Sequence, residues 1–144
     1  MFEKLNTPVF KNEKNPPQEK LILIVEDNDV DHKIIERVVQ KLGHRSLSAH
    51  NGQEGLDIVK TQKPDLIILD CEMPVMTGHQ MCESLKSEEV TKDIPILFLT
   101  SIDTPSNVIE CFELQADNFL RKPIPTDALI SHIKSILQES ATSK

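Results

Sequence analysis

The chain has 144 residues, enough for one domain with a hydrophobic core and too few for two of full size. Its net charge of −7 and its lack of tryptophan and tyrosine leave neither a basic patch nor clustered stacking rings, which argues against direct contact with nucleic acid. The longest apolar run, Leu21 to Val25, is far short of the ~20 residues that span a bilayer, and no charged start followed by an apolar stretch and a cleavage site marks a secretory signal.

Residues 1–19 are polar, carry Pro8, Pro16 and Pro17 and show no apolar period, so they read as an extended or disordered leader. Phe2, Leu5, Val9 and Phe10 within it suit an interaction arm. From residue 20 onward the pattern alternates. Short apolar runs at Leu21–Val25, Ser46–Ala49, Leu66–Leu69, Ile96–Leu99 and Asn118–Leu120 predict five strands.

Helical periodicity fills the gaps between them. Ile34, Ile35, Val38, Val39 and Leu42 form one stripe, closed by Gly43. Leu56 and Val59 follow an Asn51-Gly52 start, and Met81, Cys82 and Leu85 follow Gly78. Val108, Ile109, Phe112 and Leu114 follow Thr104-Pro105, a cap and a first helical position. Leu129, Ile130, Ile133, Ile136 and Leu137 make the last helix, with Thr126 as its expected cap and residues 139–144 as a flexible tail. Five strands alternating with five helices predict an α/β fold, a doubly wound parallel sheet covered on both faces. Cys71, Cys82 and Cys111 are an odd set without a CxxC pair, and read as reduced, packed thiols in a cytoplasmic protein.

In such folds ligands bind beyond the carboxyl ends of the strands. There the sequence has Glu26-Asp27, then Asp70, Thr100 and Lys122-Pro123, after strands one, three, four and five. Each is ordinary by itself. An Asp after a strand serves as a turn residue, a helix cap, a metal ligand or a nucleophile; an acidic pair suits a helix start; a Thr or Lys there is commonly solvated. Together they are a different matter. Crowded carboxylates repel, a hard divalent cation such as Mg²⁺ relieves the repulsion, and a lysine and a hydroxyl opposite suit a phosphate-like group. The five histidines (32, 44, 50, 79 and 132) lack a metal-ligand spacing and read as surface or packing residues.

The segments "ILIVEDN", "LIILDCEMPVMTG", "ILFLTS" and "ADNFLRKPI" occur in the order and at the spacings of response-regulator receiver domains, which the chain resembles from Lys20 to about Gln138. The resemblance implies a flavodoxin-like sheet of order 2-1-3-4-5. It implies that Asp70 accepts a phosphoryl group from a phosphohistidine on a histidine kinase or histidine phosphotransfer protein. It implies Mg²⁺ held by Glu26, Asp27, Asp70 and the backbone carbonyl of Glu72, with Thr100 and Lys122 contacting the phosphoryl oxygens. Phe119 takes the switch-aromatic position.

The implied role is signalling by protein–protein contact or phosphorelay, with an unidentified downstream protein and no membrane. A homodimer through the fourth helix, fifth strand and fifth helix is a further implication. The protein is then a phosphoacceptor rather than an enzyme in the ordinary sense. Two competing readings are a phosphorylation-independent docking module and a metal-dependent phosphatase with an aspartyl nucleophile. The second lacks a second Asp two residues on, where Glu72 stands. Ser101 and Gln115 depart from the commonest residues of the family, and Glu72 and Ile102 lie where it tunes phosphoryl lifetime. Met1 and the leader favour a whole gene product over a piece of a larger kinase.

Overall fold

The strands form where β-branched and leucine runs can be buried on both faces. In the computed structural model, which describes residues 19–71, 73, 76–101 and 118–142, these are β1 (Leu21–Val25), β2 (Arg45–Ala49), β3 (Leu66–Asp70), β4 (Ile96–Thr100) and β5 (Asn118–Arg121). The helices are α1 (Asp29–Lys41), α2 (Gly52–Val59), α3 (Gly78–Lys86) and α4 (Thr126–Thr142). The helix predicted around Val108–Leu114 lies outside the described residues, as do Glu72, Ile102, Cys111, Gln115 and the leader through residue 18.

The sheet order is β2-β1-β3-β4-β5, with every neighbouring pair parallel. This is the expected order 2-1-3-4-5. All five residues of β3 and of β4 are buried, whereas β2 at one edge mixes polar and apolar positions. Alternation along the strands sorts the core into two layers. Leu23, Val25, Ile67, Leu69 and Phe98 face α2 and α3, packing with Met81, Cys82 and Leu85. Ile22, Ile24, Ile68, Leu97 and Leu99 face α1 and α4, packing with Ile35, Val39, Leu129 and Ile133. Cys71 and Cys82 are buried, as packing residues should be.

Local chemistry sets the helix ends. Asn28 caps α1 by accepting from the Asp31 N–H, and Asn51 caps α2 by accepting from the Glu54 N–H. Beyond α1, Gly43 adopts φ 87°, the left-handed conformation that glycine enters without strain. The Gly43 N–H donates to the Gln40 carbonyl and the His44 N–H to that of Val39, which completes a Schellman turn.

Two helix ends differ from the sequence expectation, and a third gains a cap that it did not name. Thr77 caps α3, in a reciprocal capping box with Gln80. Thr126 is the first residue of α4 and not its cap, because the Pro125 carbonyl already accepts the Leu129 N–H. That helix also continues through Thr142, so residues 139–142 are helical rather than a tail. No Gly or Pro follows Leu137 to stop propagation. No helix among the described residues is long and apolar enough to cross a membrane.

Candidate functional site

Parallel register gathers side chains that are distant in sequence. Val25 of β1 pairs with Leu69 of β3, so the next residues, Glu26 and Asp70, emerge side by side. Asp70 pairs with Leu99 of β4, and Thr100 with Arg121 of β5, which places Thr100 and Lys122 at the same sheet edge. Main-chain bonds extend the ladders past the strands. The Glu26 N–H donates to the Ala49 carbonyl at 3.0 Å, Cys71 N–H to Leu99 at 3.0 Å, and Lys122 N–H to Thr100 at 2.7 Å.

Glu26 is fully buried, Asp70 and Thr100 nearly so, and Asp27 is exposed. Glu26, Asp27 and Asp70 each present a carboxylate oxygen within 4.8 Å of the other two. Lys122 reaches into this acidic edge. Its Nζ lies 3.2 Å from Glu26 Oε2, 3.2 Å from Asp31 Oδ2 and 3.4 Å from Asp70 Oδ2. Burial on its own would lower the Lys122 pKa. The hydrogen bond to Glu26, the charges of Asp70 and Glu26 and the hydrogen bond to Asp31 outweigh it, so the pKa stands above the ordinary lysine value. The ammonium is therefore held charged. Its following peptide bond, Lys122–Pro123, is cis.

Glu26 Oε1 is in a different position. Nζ is 3.0 Å away as a charged neighbour, and the oxygen is buried with no hydrogen-bond partner among the described residues. The other carboxylate oxygen, Oε2, also accepts from the Asn28 N–H at 3.1 Å. A buried oxygen without a donor is what a hard cation satisfies, and the donor set around it is entirely oxygen. Three carboxylates and one ammonium leave the edge net negative, which further favours a divalent ion. The residues therefore fit Mg²⁺, with the rest of its shell left to water. The Glu72 carbonyl lies outside the described residues.

The loop after Asp70 is shaped by Gly78. Its N–H donates to the Cys71 carbonyl at 3.1 Å, and a Cβ built there would collide with the Asp70 carbonyl oxygen. Only glycine lets α3 begin so close to the end of β3.

Thr100 faces the site end of β4, its hydroxyl 3.4 Å from the Leu120 carbonyl. Phe119 is half exposed, so its ring does not occupy the core as an isolated phenylalanine in a strand would be expected to. It lies in β5, an edge strand, next to buried Leu120.

Two residues escaped the sequence reading. Asp31 looks like a helix-start carboxylate, yet it shares Lys122 with Glu26 and Asp70. His32 is buried, with Nδ1 3.0 Å from the Glu26 carbonyl and Nε2 2.9 Å from Ser48 Oγ. Its ring stacks on that of His50, with centroids 4.9 Å apart. It packs and hydrogen-bonds, in keeping with the packing role expected of the histidines.

The family model for the response regulator receiver domain matches residues 22–134. Among curated proteins, the phosphate regulon transcriptional regulatory protein PhoB of Pseudomonas aeruginosa is 34% identical over 121 residues, covering 84% of this chain and 53% of that protein. The hybrid signal transduction protein dokA of Dictyostelium discoideum is 38% identical over 111 residues, covering 76% of this chain but 6% of that one. The chain thus spans about half the length, or much less, of the curated relatives it matches.

Solved structures agree. The receiver domain of a histidine kinase from Syntrophus aciditrophicus superimposes with a TM-score of 0.77 at 33% identity, covering 83% of this chain and 91% of that one. The receiver domain of sensor histidine kinase PA1611 from Pseudomonas aeruginosa, with a magnesium ion coordinated in its active-site cleft, gives a TM-score of 0.72 at 27% identity, covering 85% and 97%. With its sheet order, its strand-end acids and a lysine drawn in among them, the chain belongs to the response-regulator receiver-domain family.

Proposed function

We propose that this protein is a phosphoacceptor that takes a phosphoryl group onto Asp70 from a phosphohistidine of a histidine kinase or histidine phosphotransfer protein, and passes the signal on by protein–protein contact or phosphorelay. The observation that carries the reading is the joint contact of Lys122 with Glu26 and Asp70 beside a buried, unsatisfied Glu26 oxygen. In the transfer, an Asp70 oxygen forms a bond to phosphorus as the histidine N–P bond breaks, and the nitrogen keeps the electron pair. The product is an acyl phosphate. Mg²⁺, held by Glu26, Asp27 and Asp70 together with the Glu72 carbonyl, would supply charge neutralisation for the transferring group.

The chain's own residues do the rest. The Asp70 carboxylate is nearly buried, so few waters compete at the attacking oxygen. Gly78 lets the loop close tightly on the end of β3 and fixes the position of the nucleophile. Lys122, kept protonated by its carboxylate neighbours, donates to a phosphoryl oxygen, and the Thr100 hydroxyl donates to another on turning from Leu120. Phosphorylation adds about −1.5 to −2 of charge at the site, which these groups are placed to meet. Phe119, half exposed at β5, would report the change by moving inward when Thr100 shifts. The setting proposed is cytoplasmic, consistent with the odd count of cysteines and the lack of a CxxC pair.

Intact-protein mass after incubation with acetyl phosphate tests the reading. A single phosphoryl adduct is expected with Mg²⁺, absent without it, and absent from Asp70→Asn. A folded protein that gains no adduct beside a working control receiver overturns it in favour of a docking module. Continuous release of phosphate that Asp70→Asn abolishes, with no adduct accumulating, favours the aspartyl phosphatase or a very short-lived receiver.

A further inference from the structure

A lysine ammonium has three N–H bonds to donate. At Lys122 they face three carboxylates: Glu26, Asp31 and Asp70, at 3.2 to 3.4 Å. Every donor is therefore engaged before a phosphoryl oxygen arrives, and one contact must give way to it. Glu26 is fully buried, so water cannot replace the ammonium there. The Asp31 side chain is 23% exposed, and water can. Of the contacts to the ammonium, the one to Asp31 is the least costly to release. Asp31 also belongs to α1, whose first turn it shares with Asp29, and its own N–H is fixed by the Asn28 cap.

We propose that Asp31 is a positioning residue that tethers Lys122 toward α1 before phosphorylation and releases it to the phosphoryl group afterwards. The proposal rests on the phosphoacceptor reading and adds a competitor to it. Asp31 holds the acceptor in a less receptive state, and its release leaves a newly unpaired carboxylate on the first turn of α1. The helix N-terminus tolerates that charge, because the first-turn N–H groups favour anions. Modification at Asp70 thereby changes the charge displayed at the start of α1.

The test is beryllofluoride, a phosphoryl mimic, titrated at saturating Mg²⁺ into the full chain and followed by fluorine NMR. Asp31→Asn removes the competitor and should bind the mimic roughly three- to fivefold more tightly, the scale of a partly solvated ion pair. Asp31→Glu keeps the charge and should return toward wild type. Asp29→Asn removes an equal charge from the same turn and should stay within roughly 1.5-fold, since an exposed charge is screened. The Lys122 ammonium resonance supplies a signature that general destabilisation would not mimic. It should shift in Asp31→Asn before any mimic is added, and on adding mimic to wild type the Asp31 carboxyl carbon should shift. Equal affinities for Asp31→Asn and wild type, or equal gains from Asp31→Asn and Asp29→Asn, overturn the tether while leaving the acceptor intact. A wild-type protein that takes up no mimic overturns both.

Discussion

Removing the Lys122 ammonium tests whether it is the counter-charge of the site. In Lys122→Ala, fully buried Glu26 loses the ammonium that pairs with it, and Asp70 and Asp31 each lose an ion pair. Breaking a buried ion pair from one side costs about 3–5 kcal/mol. The Lys122 side chain is 19% exposed and Asp31 is partly solvated, so water recovers part of that cost. A net loss of about 2–3 kcal/mol follows. For a domain of this size that lowers Tm by roughly 6–12 °C.

Urea titration in the absence of divalent ions measures the loss directly, provided that the m-value is unchanged. Two companion measurements locate it. The double variant Lys122→Ala, Glu26→Gln should regain at least half, because the fully buried charge of Glu26 is then removed along with the ammonium. Saturating Mg²⁺ should narrow the gap between wild type and Lys122→Ala, since a cation can replace the ammonium. A single variant within about 0.5 kcal/mol of wild type would refute the reasoning, as it is the range of an ordinary surface substitution.

Other expectations follow from the same structure. His44 Nδ1 accepts the Lys20 N–H at 3.1 Å, and burial, with the Lys20 charge, lowers its pKa below the ordinary 6.5. The native state then binds fewer protons than the unfolded one, so this contribution is complete above pH 6.5 and is lost as pH falls through it toward the lowered value; His44→Gln should show a shallower loss of stability between neutral and mildly acid pH in urea titrations. Gly78→Ala drives a methyl into the Asp70 carbonyl, and should cost about 1–3 kcal/mol and slow adduct formation with acetyl phosphate, whereas Gly43→Ala should cost only about 1 kcal/mol of left-handed strain and leave phosphorylation unchanged. Phe98→Ala empties a fully buried site beneath α3 and should lower stability by about 3–5 kcal/mol in urea, a loss that added Mg²⁺ does not restore.

Much of this architecture was legible because it is written in local chemistry. The run Leu66–Leu69 is apolar at every position, which only a strand covered on both faces tolerates, and strands of that kind put the residues after them at a sheet edge. Glu26, Asp27, Asp70, Thr100 and Lys122 could therefore be assembled before any coordinates were known. What local chemistry does not encode is the partner of a charge. Asp31 sits in a helix start where acids are common, and its bond to Lys122 exists only because β1 and β5 bring α1 and the Pro123 turn to one edge. His32 likewise reads as a surface or packing residue, and only the fold brings Ser48 of β2 to its Nε2. The Thr77–Gln80 capping box was not singled out in the sequence, where only Gly78 was placed before the third helix. The exposure of Phe119 depends on its being in an edge strand, which no pattern within β5 reveals.

The 2.7 Å bond from the Lys122 N–H to the Thr100 carbonyl has a mechanical meaning. It ties the backbones that carry the hydroxyl and the ammonium into one fork with two tines, clamped at its base by the pairing of Thr100 with Arg121. The tines cannot approach or leave the third strand independently at the level of the main chain. A displacement that carries Thr100 inward draws the base of Lys122 along with it, so a small shift of one strand end is felt at two points around Asp70 together.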